Sequence, residues 1–137
     1  MKQRVLILCT GNSARSQIAE GWLRHLAGER FDVFSAGTKP SVVNPLAIQV
    51  MHEVDIDISG HRSKSVTEFV DQPFDYVITV CDQAAEACPV FPGPAQRLHW
   101  SFPDPAAVRG DESMRLQAFR EVRDGLKDRL TGWIASL

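Results

Sequence analysis

The chain has 137 residues, 44% of them apolar, and 15 Lys and Arg stand against 17 Asp and Glu for a net charge of −2. That length suits a single domain spanning 1–137, able to fold without a disulfide or metal scaffold, and the near-neutral charge excludes a broad footprint for nucleic acid or an anionic membrane. No apolar run approaches a signal-peptide core or a membrane span, so a cytoplasmic protein is expected; in that reducing compartment the odd set Cys9, Cys81 and Cys88 points to thiol chemistry rather than a static disulfide framework.

Arg4-Val-Leu-Ile-Leu8 reads as a buried strand that stops abruptly at the polar turn Cys9-Thr-Gly-Asn-Ser13. From Ser13 onward Ile18, Ala19, Trp22, Leu23 and Leu26 recur at helical spacing, and Gly28 lies where that helix would stop. Phe31 to Ala36 is a second strand closed by Gly37. Asn44-Pro45 supplies an N-cap and a first-turn proline for a helix to about Val54. Tyr76 to Val80 is a third strand ending on Cys81, and Gln83 to Cys88 is a short alanine-rich helix broken by the Pro89 to Pro94 stretch. Arg97 to Trp100 is a fourth short strand. The chain closes on an amphipathic helix whose apolar stripe is Leu116, Phe119, Val122, Leu126, Leu130 and Ile134, with its charges on a solvated face. Strands alternating with helices predict an α/β fold: one three-layer domain with a four-stranded parallel sheet flanked by helices. No repeat or linker divides it. Ligands of such sheets sit at the carboxyl ends of the strands, where both Cys9 and Cys81 fall, so the two thiols are expected to be neighbours.

Cys9-Thr-Gly-Asn-Ser-Ala-Arg15-Ser16 places a cysteine and an arginine, with five residues between them, across a strand-to-helix turn. Successive backbone N–H groups of Thr10, Gly11, Asn12, Ser13 and Ala14, opening into a helix N-terminus, form a positive nest for a tetrahedral oxyanion. Gly11 is expected to supply the backbone freedom, and Arg15 closes the nest as a fork on two oxygens. The same N–H groups and the Ser16 hydroxyl would stabilise a Cys9 thiolate, making it a nucleophile. A nucleotide-binding loop is excluded because no Gly-Lys-Ser/Thr follows Gly11.

Asp104, stiffened between Pro103 and Pro105, is a candidate proton donor to a leaving oxygen. Cys81 and Cys88 are seven apart, which matches no zinc spacing. Two helical turns over that span would hold the Cα atoms about 10 Å apart, beyond the roughly 7 Å limit of a disulfide, so the segment must refold to oxidise. His25, His52, His61 and His99 are scattered and read as structural, and Trp22 as core.

The loop motif continuing into Ser16-Gln17 and Ala19-Glu-Gly-Trp22, together with Ser35-Ala-Gly37, Val54 to Ser59, His99-Trp100 and Asp104-Pro105, resembles the thioredoxin-coupled arsenate reductases over nearly the whole chain. That family shares its fold with the low-molecular-weight protein tyrosine phosphatases; the paired downstream cysteines favour the reductases. The resemblance implies that Cys9 attacks arsenate, that Arg15 and the loop from Thr10 to Ser16 bind the oxyanion, that Asp104 is the general acid, and that Cys81 and Cys88 are the redox pair. It implies no bound cofactor, an external dithiol (thioredoxin) as electron source, phosphate and sulfate as competing anions, and a monomer. Asn12, Glu20 and Ser35 match positions that hold potassium in some members; the fourth ligand there is an aspartate, whereas this chain has Lys64, whose ammonium could take the cation's place. Ala14 stands where many relatives carry another cysteine. The expected function is arsenate reduction to arsenite by a three-cysteine relay for detoxification, with weak phosphatase side activity. The alternatives are a phosphatase acting through a phosphocysteine at Cys9, or a non-catalytic redox or oxyanion sensor.

Overall fold

The computed structural model describes residues 2–137. Strand β1 (Gln3–Cys9) is followed by helix α1 (Arg15–Ala27), β2 (Phe31–Gly37), α2 (Pro45–His52), β3 (Tyr76–Thr79), α3 (Asp82–Glu86), β4 (Gln96–His99) and α4 (Glu112–Ala135). The four strands form one parallel sheet in the order β2-β1-β3-β4. Val5 to Leu8, in the centre of that sheet, have no accessible surface, as a strand covered on both faces requires. Right-handed crossovers put α1 and α3 on opposite faces, because β1 to β2 and β3 to β4 step in opposite directions across the sheet.

Local signals set the helix starts. Asn44 caps α2 through its side-chain oxygen on the Leu46 N–H at 2.8 Å, with Pro45 at the first helical position. Asp111 caps α4 in the same way on Met114 at 2.9 Å. Phe119, Val122, Leu126 and Leu130 of α4 are buried, each contributing about 1.5–3 kcal/mol relative to exposure. The charged residues of α4 are not all solvated as expected. Arg123 is only 9% exposed and donates to the Val50 carbonyl at 2.9 Å and to Glu53 at 2.8 Å, fastening α2 to α4.

α3 is shorter than its sequence suggests, ending at Glu86 with Ala87 as C-cap, so Cys88 lies outside it. The cause is Pro89, whose ring disfavours helical backbone at the residue before it. The two helical turns expected between Cys81 and Cys88 do not form. Among the described residues, no helix is long and apolar enough to cross a membrane.

Candidate active site

Between the end of β1 at Cys9 and the start of α1 at Arg15, the chain wraps into a loop whose carbonyls are all tied down. Backbone N–H groups of Thr38, Lys39, Ser41, Asn44 and Ile18 bond the carbonyls of Cys9, Thr10, Gly11, Ser13 and Ala14 at 2.8–3.3 Å. The Gln17 amide takes the Asn12 carbonyl at 3.2 Å, and the Ser63 hydroxyl reinforces Gly11 at 2.9 Å. Among the described residues, none of the backbone N–H groups from Thr10 to Ala14 is spent on a protein acceptor. Carbonyls bound from outside and N–H groups left free define a concave donor nest. Ala14 provides no side-chain cap to α1, so the helix adds its own N-terminal donors.

The left-handed residue of this loop is Asn12, at φ 46°, and not Gly11 as expected. Asparagine tolerates that region because its side chain bonds locally. Gly11 matters for space instead, since a Cβ there would meet Ser41 Oγ at 3.3 Å. Gly37, at the end of β2, is tighter still: its Cβ would lie 2.5 Å from the Thr10 carbonyl oxygen and 2.8 Å from the Asn12 nitrogen.

A directed hydrogen-bond chain runs through the buried side of the nest. The Lys64 backbone N–H and the Gln17 amide donate to Asn12 Oδ1 at 2.9 and 3.0 Å, which orients the Asn12 amide. Its nitrogen donates to Ser16 Oγ at 2.7 Å and to Ser35 Oγ at 3.0 Å. Ser16 Oγ in turn lies 2.8 Å from Cys9 Sγ, within hydrogen-bond reach.

Ser35 donates in turn to Glu20 at 2.6 Å. Glu20, 3% exposed, is flanked by the Arg24 guanidinium at 2.8 Å, the His61 ring at 3.4 Å and the Lys64 ammonium at 4.0 Å. Burial lowers the pKa of both Lys64 and His61, and Glu20 opposes the shift in each. Asn12, Glu20 and Ser35 do come together, yet their geometry does not suit a potassium ion. Asn12 turns an N–H toward the cluster, its oxygen is already bonded, and an ammonium stands beside the carboxylate.

Arg15 is half-buried and held by a bond from Nη1 to the Phe102 carbonyl at 3.0 Å. It shares a cavity of about 570 Å³ with Thr10, Asp82 and Asp104. Asp104 accepts from the Ala106 N–H at 3.0 Å through one carboxylate oxygen while the proline-flanked loop holds it at the cavity wall. Cys81, 1% exposed, ends the β3 side with its sulfur 3.3 Å from the Thr10 hydroxyl, the residue next to Cys9. All three cysteines are free. Cys88 is half-buried, its thiol donating to the Pro89 carbonyl at 3.5 Å; burial pushes that thiol up, with Arg97 opposing. Sequence reasoning passed over Gln17, Ser63 and the packing role of Gly37, whose partners lie far away along the chain.

The low molecular weight phosphotyrosine protein phosphatase family model matches residues 4–137. An arsenate reductase of Oceanobacillus iheyensis is 43% identical over 129 residues, 94% of this chain and 93% of that protein. An arsenate reductase solved in its phosphate-binding state superposes with a TM-score of 0.78 at 35% identity, covering 99% of this chain and 98% of that one. A thioredoxin-dependent arsenate reductase of Corynebacterium glutamicum superposes with a TM-score of 0.73 at 29% identity, covering 99% of this chain and 64% of that one. The chain belongs to the low-molecular-weight phosphotyrosine protein phosphatase family, and it is 42–43% identical to arsenate reductases over more than nine-tenths of its length.

Proposed function

We propose that this protein reduces arsenate to arsenite, and that Cys9, Cys81 and Cys88 carry the electrons in a relay. The observation that carries the reading is the placement of two thiols at one oxyanion nest: Cys9 at its floor against Ser16, and Cys81 against the neighbouring Thr10. The nest and Arg15 bind the oxyanion, with phosphate and sulfate as competitors of the same shape and charge. The Cys9 thiolate attacks arsenic while Asp104 protonates the departing oxygen, which leaves as water. The Cys81 thiolate then attacks the Cys9 sulfur. A disulfide forms, the sulfur–arsenic bond breaks, and its electron pair stays with arsenic, reducing As(V) to As(III). Cys88 next attacks Cys81, releasing the Cys9 thiolate, and an external dithiol such as thioredoxin reduces the Cys81–Cys88 disulfide.

The raised pKa of Cys88 fits the last place in this order, because a protonated, half-buried thiol stays out of the earlier steps. In the same reading the Lys64 ammonium supplies the positive charge beside Glu20 that potassium supplies in some relatives, so potassium is not required. No organic cofactor takes part.

Arsenate-dependent NADPH oxidation with thioredoxin and its reductase tests the function; no oxidation above background overturns it. A phosphatase reading also fits Cys9, Arg15 and Asp104, but leaves Cys81 and Cys88 without a role. Cys88→Ser separates the two: the relay stops arsenate turnover after about one cycle, whereas a phosphatase proceeds unimpaired.

A further inference from the structure

The segment that carries Cys81 and Cys88 is tied to the sheet by a histidine that the relay leaves without a task. His99 ends β4 and is the register partner of Thr79, which ends β3. Its imidazole bridges two residues, with Nδ1 2.7 Å from Thr79 Oγ1 and Nε2 2.9 Å from Asp82 Oδ1. Asp82 opens α3 and directly follows Cys81. The bridge holds in either protonation state. A neutral ring donates through Nε2 to Asp82 and accepts from the Thr79 hydroxyl at Nδ1. An imidazolium donates to both, and the hydroxyl turns to the Leu98 carbonyl 3.4 Å away.

The two ends of the segment differ. On one side Cys81 is clamped between the Thr10 hydroxyl on its sulfur and the His99 bridge at the next residue. On the other, the cysteine sulfur bonds only its neighbour's carbonyl, that carbonyl takes Arg97 Nη2 at 2.6 Å, and Val90 is 86% exposed. α3 has five residues, and Cys81 as its N-cap makes no side-chain cap. A helix that short does not hold its own N-terminus in place.

We propose that His99 is a positioning residue for the first disulfide exchange. Through Asp82 it keeps Cys81 beside the Cys9 loop, so that α3 unwinds from its Cys88 end and not from its Cys81 end. The first exchange needs the Cys81 sulfur within bonding reach of Cys9, whereas the second needs Cys88 to travel to Cys81. A fixed near end and a loose far end meet both requirements with one short segment. This inference rests on the relay proposed above.

The test uses the full chain with Cys88→Ser, so that the cycle stops at the Cys9–Cys81 disulfide, whose formation after mixing with arsenate is followed by acid quench, thiol alkylation and mass spectrometry. Adding His99→Phe or Asp82→Ala should slow that step about tenfold, the loss of one charge-assisted hydrogen bond. Asp82→Asn, whose amide oxygen still accepts from Nε2, should stay within about threefold. Iodoacetamide should modify Cys81 faster in His99→Phe, while phosphate still protects Cys9, a pattern that general destabilisation would not produce. Should His99→Phe lower the melting temperature, Asp82→Ala decides, because that side chain is largely exposed. Disulfide formation at an unchanged or higher rate in both variants overturns the inference. Absence of a Cys9–Cys81 disulfide in Cys88→Ser alone overturns the relay itself, and the inference with it.

Discussion

The oxyanion loop and the redox segment each begin where a central strand ends in a cysteine, yet they are built in opposite ways. In the loop every carbonyl from Cys9 to Ala14 is bonded from outside, and Asn12, Ser16 and Gln17 are wholly buried. The redox segment has one turn of helix, a run of prolines and a few side-chain ties. The difference fits the roles proposed for them. Donors that stabilise developing charge are effective only if they are already oriented, so the loop is over-determined. A thiol that must reach a partner seven residues away cannot sit in a fixed frame, so the second segment is only lightly held.

The contrast can be broken most severely at Cys9. Cys9→Ser should show no arsenate turnover above background while phosphate still raises its melting temperature, because the nest does not depend on the sulfur. Arg15→Lys keeps the charge but loses the fork, and should lower kcat/KM by about 10²–10³ fold; near-normal efficiency would refute the nest as drawn. Gly37→Ala tests the rigidity of the loop from behind. A Cβ 2.5 Å from the Thr10 carbonyl must displace the loop, costing about 1–3 kcal/mol and weakening phosphate binding in calorimetry.

On the other side of the comparison, the Cys81–Cys88 disulfide form should exchange its amides across 82–91 about tenfold faster than the reduced form, with β1 and α4 unchanged. Equal exchange in both states would mean that the segment does not refold. The smallest effect is expected far from both regions. Arg120 holds the Glu53 carboxyl down to about 2, burial opposing and Arg123 assisting. A carboxyl depressed in the folded state stabilises it above the ordinary value near 4.5, and that contribution is lost as the pH falls toward 2. Because Glu53 is about a third exposed, solvent screening leaves roughly 1 kcal/mol. Glu53→Gln should therefore melt lower than the parent at pH 7 and match it near pH 2, with phosphate affinity unaffected at pH 7.

Much of this was legible in one dimension because it is local. Short apolar runs mark the strands, Asn44-Pro45 marks a helix start, and the spacing of Cys9 and Arg15 across a strand-to-helix turn marks the nest. Other features have no local signal. Gln17 reaches Arg62 and Ser63 reaches Gly11, contacts spanning 45 and 52 residues. Arg123 reads as one more surface charge until α2 packs against it. Alanine content favours a helix as far as Cys88, but α3 stops at Glu86 because the proline beyond acts one residue upstream.

The sequence by itself determined the order of elements, the carboxyl-end location of Cys9 and Cys81, and the residue types able to bind and attack an oxyanion, since each follows from side-chain periodicity and short-range backbone chemistry. Only the tertiary structure decided which residues hold them. The parallel register sets Thr79 beside His99 and so brings a strand-end imidazole to Asp82; the approach of β2 makes Gly37 the wall of the loop; and the fold delivers the Lys64 ammonium to a buried Glu20. These pairings join residues 17 to 44 positions apart, and their geometry exists only once the sheet has assembled.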